Sequence, residues 1–276
     1  MKKILIIIFG LIVCSNVFAK TKFSEIKKAL KEDKNGIVGP SNISPLTSPK
    51  AINPISINDF SIVGDNSLRF ESNHGECGQE PIWSDCENDR ERVELVFKKE
   101  KWKKEKWYRF YIFLPQVYNS IDPALMSFIQ WKRFDPSLVL VMFKHTKNGL
   151  IFERNYQSLQ PTGIFYLKKN DELYGNWTEI IFATNWHPDP KKGFMKVWID
   201  GKLKVDVKNR SNHKEGRELS LRFGLYSSFL KRYREAKKTN IHPQRIIFFD
   251  GVRIEKNCKK LLDENQCQKL TSQTVK

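Results

Sequence analysis

The feature that most constrains the fold of this chain is a succession of short β-type runs that begins near Phe60. In these runs β-branched and aromatic residues alternate with polar ones or form brief apolar stretches, and turn-forming residues separate them at intervals of about ten residues. The ten clearest runs are Leu68–Glu71, Val93–Lys98, Trp107–Leu114, Ser127–Trp131, Leu138–Phe143, Gly163–Leu167, Trp177–Thr184, Phe194–Ile199, Leu219–Tyr226 and Arg245–Ile254. Asp200-Gly201 predicts a tight hairpin between two of the strands. We therefore predict an all-β fold, a single jelly-roll sandwich of two antiparallel sheets.

The two ends of the chain differ from this strand-rich body, which we place at residues 60–256. Residues 1–19 combine two lysines, an apolar stretch and a plausible cleavage point after Ala19, which is typical of a secretory signal peptide. Residues 20–59 predict a short charged helix followed by a linker or strap rich in Pro, Ser and Asn. Residues 257–276 form a C-terminal tail. We expect a secreted or periplasmic protein with no membrane span, since no later segment approaches ~20 apolar residues.

Four cysteines follow the predicted cleavage point, an even number in an oxidising compartment. They fall into two local pairs, Cys77 with Cys86 and Cys258 with Cys267. Each disulfide would close a short loop and stabilise the fold by ~2–3 kcal/mol. A zinc site is the alternative, but there is no Cys-x-x-Cys element and no histidine pair nearby. The sequence therefore favours two local disulfides.

The charge balance points to a polyanionic partner. The formal net charge is +17, and the two lysines within residues 1–19 account for two of these charges, which leaves +15. A surplus of this size attracts polyanions, unless the lysines serve only solubility. Export argues against nucleic acid as the physiological partner, although a basic face would bind phosphates in vitro. Acidic glycans and anionic lipid surfaces remain, and we expect an acidic polysaccharide bound by a monomer.

Three strand segments carry polar side chains that a core would not need. Residues two apart on a strand project from the same face. The aligned side chains are Arg90, Arg92 and Glu94 in the first segment, Gln130 and Lys132 in the second, and Arg222, Gly224 and Tyr226 in the third. Each set alone could be a cross-strand ion pair, a polar face beside a buried tryptophan, or a sheet tyrosine with a satisfied hydroxyl. Their occurrence together favours a functional site.

The three segments resemble the motifs of the jelly-roll polysaccharide lyases, which include alginate lyases, glucuronan lyases and heparin lyase I-like enzymes. The family's motifs are Arg-x-Glu-Leu, Gln-x-His and Lys-x-Gly-x-Tyr, and the matching segments are Arg92–Leu95, Gln130–Lys132 and Arg222–Tyr226, in the same order. The resemblance covers about residues 60–256. It implies a concanavalin-like jelly roll and cleavage of an acidic polysaccharide by β-elimination, without a cofactor.

β-Elimination removes the C5 proton of a uronic acid while charge on the neighbouring carboxylate is dispersed. Arg92 and Gln130 could neutralise that carboxylate. The resemblance gives Tyr226 the role of acid, and also of base where proton and leaving group lie on the same side. Lys132 stands where the family has histidine. Repulsion from Arg92 and Arg222 would lower the pKa of Lys132 and make it a usable base; alternatively it stays protonated and only binds carboxylate.

Seven further residues are expected to contact the substrate: Arg90, Glu94, Arg154, Tyr156, Arg222, Lys231 and Arg234. Arg154 and Tyr156 would suit an ordinary edge strand equally well. His145 and His187 could each replace the family's base, although His187 lies in a proline-rich turn that indicates a surface loop. The sequence contains no recognisable calcium loop, so no metal or other cofactor is expected, with calcium left as an option.

Two other functions fit the same fold. A non-catalytic protein that binds acidic glycans would share the groove and the charge but release no unsaturated product. A glycoside hydrolase would need two carboxylates facing each other across the groove. Glu91 and Glu94 point to opposite faces of their strand, so they make no such pair. The sequence therefore favours the lyase, with the binding protein as its alternative.

Overall fold

The computed structural model describes residues 22–32, 43–80, 83–100, 103–133, 138–155, 161–212 and 218–275. In these residues two antiparallel sheets of seven strands form a sandwich. The first sheet has the order β1 (Ile43–Leu46), β6 (Arg90–Glu100), β15 (Leu219–Ser228), β8 (Leu125–Arg133), β9 (Leu138–Thr146), β10 (Gly149–Arg154), β11 (Gly163–Lys169). The second has the order β14 (Lys202–Lys208), β13 (Phe194–Ile199), β12 (Trp177–Thr184), β7 (Lys106–Phe113), β16 (Arg245–Glu255), β3 (Ser67–Ser72), β2 (Ile55–Asn58). The predicted jelly-roll fold and all ten predicted strands are confirmed.

The core lies between the sheets and is rich in aromatic rings. Alternation along each strand turns one set of side chains inward, as Val93 and Leu95 of β6 show. Trp131 of the first sheet packs against Phe182 of the second, with ring centroids 4.8 Å apart. Phe223 and Phe249 meet across the same space at 5.0 Å. Each fully buried ring of this kind stabilises the fold by about 2–3 kcal/mol.

The hairpin predicted at Asp200-Gly201 joins β13 to β14. Ile199 pairs with Lys202, and both intervening residues have positive φ, 48° for Asp200 and 73° for Gly201. Positive φ at both central positions is the geometry of a type I′ turn. The backbone N–H of Glu179 donates to the Asp200 carboxylate at 2.9 Å. The turn therefore also ties the hairpin to β12.

The strap contributes to the sandwich itself. The helix α1 (Phe23–Glu32) buries Ile26 in the core, and the strap then supplies β1 and β2, one edge strand to each sheet. The sandwich therefore begins before residue 60. The predicted signal peptide, residues 1–19, lies outside the described residues.

The C-terminal tail is also structured. Its helices α4 (Cys258–Leu261) and α5 (Glu264–Thr271) cover Trp107 and Trp198 on the outer face of the second sheet. The Trp198 indole N–H donates to the carbonyl of Leu270 at 3.1 Å. Both predicted disulfides are present, with Cα atoms 5.2 Å apart in the first pair and 5.7 Å in the second.

Three short elements complete the described chain: a two-stranded ladder of β4 (Gln79–Glu80) and β5 (Trp83–Ser84), and the helices α2 (Asn170–Leu173) and α3 (Leu230–Lys237). The ladder lies within the loop closed by the first disulfide, and α3 directly follows β15. Within the described ranges, no helix combines the length and the apolar character needed to cross a membrane.

Candidate functional site

Three neighbouring strands bring the candidate residues together on the outer face of the first sheet. Arg92 of β6 is paired with Tyr226 of β15, and Arg222 of β15 is paired with Gln130 of β8. Glu94 stands opposite Gly224 in the same register. We call this surface the site face and define it by Arg92, Glu94, Gln130, Arg222 and Tyr226. The intervening residues of β6 point into the core, so the site face is the side of the sheet turned away from it.

Arg92 is held by a buried ion pair. Its Nη2 donates to Asp85 Oδ1 at 2.7 Å, and its Nε lies 3.9 Å from Glu94 Oε2. The guanidinium carbon lies 5.1 Å from the centroid of the Tyr226 ring, which is a cation–π contact. Charge-assisted hydrogen bonds of this kind fix side-chain geometry. Arg92 is therefore oriented beside Tyr226 before any ligand binds.

Glu94 orients the amide of Gln130. Gln130 Nε2 donates to Glu94 Oε1 at 2.6 Å, and both side chains are buried. In this contact the Glu94 oxygen accepts from the NH₂ group of Gln130, whose second N–H is left for another acceptor. Burial raises the pKa of Glu94, against the opposing charges of Arg92 and Arg222.

Tyr226 is half-buried and starts as a neutral phenol. Burial raises the pKa of Tyr226, and the positive charges of Arg90 and Arg92 only partly oppose this. Since the ordinary value is 10.0, the hydroxyl carries its proton at neutral pH. A protonated phenol is the form that a general acid needs.

Lys132 is the half-buried cation of β8, paired with Ser220 of β15. The ladder between β8 and β9 is irregular between Trp131 and Lys132, so the register shifts at this residue. Arg222, by contrast, is buried and directly opposite Gln130. The three sequence segments therefore converge on adjacent strands.

Arg154 is not on the site face. It pairs with Val141, a core residue, and its guanidinium donates to Thr162 Oγ1 at 2.7 Å and to the carbonyl of Ser211 at 2.6 Å. The Arg154 side chain therefore does not point toward the site face, and the expected role of Arg154 in lining the groove does not fit its position. Tyr156 lies outside the described residues.

The two alternative bases are engaged elsewhere. His145 pairs with the core residues Met126 and Leu150, and its Nε2 lies 2.7 Å from the hydroxyl of Tyr174. Burial lowers the pKa of His145 to about 4. His187 lies in the loop after β12, where its Nδ1 accepts from the backbone N–H of Asp189 at 3.0 Å. Neither histidine belongs to the site face.

The helix α3 places further cations at the end of β6. Asp89, which precedes β6, accepts from the backbone N–H of Lys231 at 2.8 Å and from Arg234 Nη2 at 3.0 Å. The Lys231 side chain is 73% exposed and 3.6 Å from Glu235, a contact that is weak in water. Lys231 is therefore accessible, whereas Arg234 is partly engaged in anchoring the helix.

The role of Asp85 and a second, partly buried cluster were not anticipated from the sequence. Among the described residues, His74, Glu91 and His242 have ligand atoms within 4.8 Å of one another, as a metal site would require. However, Arg245 Nη1 lies 3.0 Å from His242 Nδ1, and a guanidinium only donates, so Nδ1 accepts and Nε2 carries the proton. That Nε2 lies 3.1 Å from Glu91 Oε1 and 3.0 Å from His74 Nδ1. The arrangement fits a hydrogen-bonded cluster better than a metal centre.

Comparison with known proteins agrees with this fold. A family model described as polysaccharide lyase matches residues 48–253. The endo-β-1,4-glucuronan lyase of the fungus Trichoderma reesei is similar over 78% of this chain and 92% of that chain, with 15% identity and a TM-score of 0.59. The family 7 alginate lyase A1-II′, in complex with substrate, is similar over 77% of this chain and 91% of that chain, with 11% identity and a TM-score of 0.56. No curated protein matches the sequence. At these identities the structures show a shared fold, and the family match supports polysaccharide lyase activity.

Proposed function

Because the chain belongs to the polysaccharide lyase family, we propose that it is an exported enzyme that cleaves a uronic-acid polysaccharide by β-elimination. The observation that carries the proposal is the convergence of Arg92, Gln130 and Tyr226 on one face of adjacent strands. The net charge of the chain, +17, suits an anionic substrate. The two disulfides suit an oxidising compartment outside the cytoplasm.

The first task of the site is to stabilise charge. Removal of the C5 proton spreads negative charge into the adjacent carboxylate, which becomes enolate-like. The guanidinium of Arg92 and the second N–H of Gln130 would donate to its oxygens, and both groups are already held by Asp85 and Glu94. Donors that need no reorganisation stabilise a transition state most effectively. The reaction as proposed uses no cofactor, and the protein acts as a monomer.

The second task is proton transfer. A base takes the C5 proton, the C–H electron pair forms the C4–C5 double bond, the C4–O bond breaks, and an acid protonates the departing oxygen. The raised pKa of Tyr226 keeps the phenol protonated and suits it to the acid role. Lys132, at the family's histidine position, is the candidate base; it pairs with Ser220 of β15, six residues from Tyr226, whereas Arg92 stands directly opposite Tyr226. Lys132 must lose its own proton first.

The test is ultraviolet absorbance of the purified protein mixed separately with alginate, glucuronan, heparin and pectate. β-Elimination creates a conjugated unsaturated uronate, so absorbance rises on the correct polymer. We expect no rise with Tyr226→Phe and a large loss with Lys132→Ala, with thermal melting as the check on folding. An increase that persists in Tyr226→Phe contradicts the proposed acid.

A non-catalytic glycan-binding protein is the second candidate. The observation that favours it is the burial of Arg92 and Glu94, each less than 5% exposed, which limits access to the site face. It predicts salt-sensitive binding of the same polymers. Binding without any rise in absorbance would establish this function in place of the lyase.

A further inference from the structure

An exposed tryptophan lies next to the site face. Trp83 of β5 is 37% exposed, in the loop closed by Cys77–Cys86. Its indole N–H donates to Asp85 Oδ1 at 2.9 Å, and the same oxygen accepts from Arg92 Nη2 at 2.7 Å. One carboxylate oxygen therefore links Trp83 to the arginine proposed to neutralise the substrate. The indole is therefore separated from Arg92 only by the carboxylate of Asp85.

Arg90 adds a charge to this position. It precedes Arg92 by two residues on β6 and therefore projects from the same face, and its guanidinium carbon lies 5.0 Å from the Trp83 ring centroid. Arg90 pairs with Ser228 of β15, two residues after Tyr226, and its charge lowers the pKa of Tyr226 against the effect of burial. Within the described part of the chain, the Arg90 side chain forms no hydrogen bond or ion pair, and its Nε is buried. The charge of Arg90 is compensated there only by the aromatic ring.

We propose that Trp83 and Arg90 form a binding subsite for one uronic-acid unit beside Tyr226, an inference that rests on the proposed function. A pyranose ring offers an apolar face of C–H groups and, in a uronic acid, one carboxylate. An exposed indole contacts the apolar face of the sugar at low entropic cost, and an arginine binds the carboxylate through paired N–H donors. The pair thus matches both halves of a single sugar unit. A neutral sugar would use only Trp83.

The disulfide loop holds the subsite in place. β4 and β5 contain only two residues each, too few to be stable alone, and Cys77–Cys86 closes the loop that carries them. The backbone N–H of Asp85 donates to the carbonyl of Gly78 at 3.0 Å across the loop. Removing the disulfide should therefore loosen Trp83 while the two seven-stranded sheets persist.

Affinity can be measured without turnover in the Tyr226→Phe protein. We would titrate it with size-fractionated oligosaccharides of alginate and of glucuronan by calorimetry, alone and with second substitutions. Trp83→Ala should weaken binding about tenfold, the effect of ~1.4 kcal/mol of lost contact. Arg90→Ala should weaken it similarly and reduce its dependence on salt. Trp83→Phe, which keeps a ring but loses the bond to Asp85, should retain most of the affinity.

Phe60→Ala is the matched control. Phe60 is 42% exposed, but it packs against Phe113 and Trp177 on the outer face of the second sheet, so its loss should leave the affinity unchanged. Equal affinities of the Trp83→Ala protein and its Tyr226→Phe parent would refute the subsite while leaving the lyase proposal intact. Failure of the parent to bind any acidic polymer, together with no lyase activity in the unmodified protein, would remove both proposals.

Discussion

The buried cluster around Glu91 allows a stability prediction with a defined magnitude. Arg245 is fully buried, and its Nη2 donates to Glu91 Oε2 and to Ser72 Oγ. Glu91 Oε1 also accepts from the backbone N–H of Gly75 at 2.6 Å and lies 3.1 Å from His242 Nε2. Glu91→Gln keeps the shape of the side chain but removes its charge. The guanidinium of Arg245 would then be buried without its counter-ion.

Breaking a buried ion pair by removing one partner costs about 3–5 kcal/mol of unfolding free energy. In a protein of this length that corresponds to a fall in melting temperature of roughly 10 °C. Urea denaturation followed by tryptophan fluorescence, with the disulfides intact, measures the free energy directly. The control is Lys259→Ala, which removes an ion pair with Glu264 whose side chains are 70% exposed, and it should have no measurable effect.

The pH dependence gives an independent check. Burial alone would raise the pKa of Glu91, but the hydrogen bond with His242 and the charge of Arg245 outweigh it and lower the pKa below its ordinary 4.5. A carboxyl with a depressed folded pKa stabilises the fold above pH 4.5 and loses this contribution as pH falls through the folded value. The difference in unfolding free energy between the unmodified protein and Glu91→Gln should therefore become smaller at acidic pH. The argument would be refuted if Glu91→Gln lost less than ~1 kcal/mol of unfolding free energy at pH 7, or if this loss did not change with pH.

Two further outcomes follow from the fold. Burial lowers the pKa of His145 from 6.5 to about 4, so between these pH values the unfolded chain binds a proton that the folded protein does not. The unfolding free energy should therefore fall by up to about 3 kcal/mol from pH 6.5 to pH 4. His145→Asn should abolish this part of the pH dependence, measured by urea denaturation at each pH. Gly224→Ala should lower the melting temperature and abolish activity, because at φ +136° a Cβ would meet the Val93 carbonyl and lie 2.8 Å from Phe70. Gly201→Ala is the comparison: at φ +73° with open space around it, the substitution should lower the unfolding free energy by only ~1 kcal/mol.

The parts of the site that the sequence predicts are those governed by alternation along strands. Arg92 and Glu94 share a face because they are two residues apart, and Arg222 and Tyr226, four residues apart, do so because that separation is also even. Which strands are neighbours is not a local property, so the expectation that the three segments form one site came from the resemblance to the lyase family. Asp85 was not predicted because it lies in a turn, where no periodicity indicates the direction of a side chain.

Other omissions have separate physical causes. β1 contains Pro45, and this proline made the segment resemble a linker in the sequence. An edge strand tolerates proline because one side of the strand's backbone is unpaired. The short helices of the tail did leave a signal in the sequence: Asn257 and Asp263 cap α4 and α5 through their side chains. The Glu91 cluster joins segments 154 residues apart, as the contact with Arg245 shows. No pattern within one strand could predict it.

The charges of the site face bear on how the reaction should depend on pH. Arg90, Arg92, Arg222 and a protonated Lys132 outnumber the two carboxylates of this region, Asp85 and Glu94, so the net positive charge attracts the carboxylate of a uronate. A lysine base must then release its proton before it can take the one at C5, so kcat/KM should rise as pH increases until the phenol of Tyr226 ionises.

Lys132→His tests this assignment. Imidazole loses its proton at a lower pH than an amine, so the rising limb should move toward neutral pH while the falling limb, set by Tyr226, stays in place. The measurement is the pH profile of kcat/KM for both proteins on the polymer identified by absorbance. An unchanged rising limb would mean that Lys132 only binds carboxylate, and that Tyr226 transfers both protons.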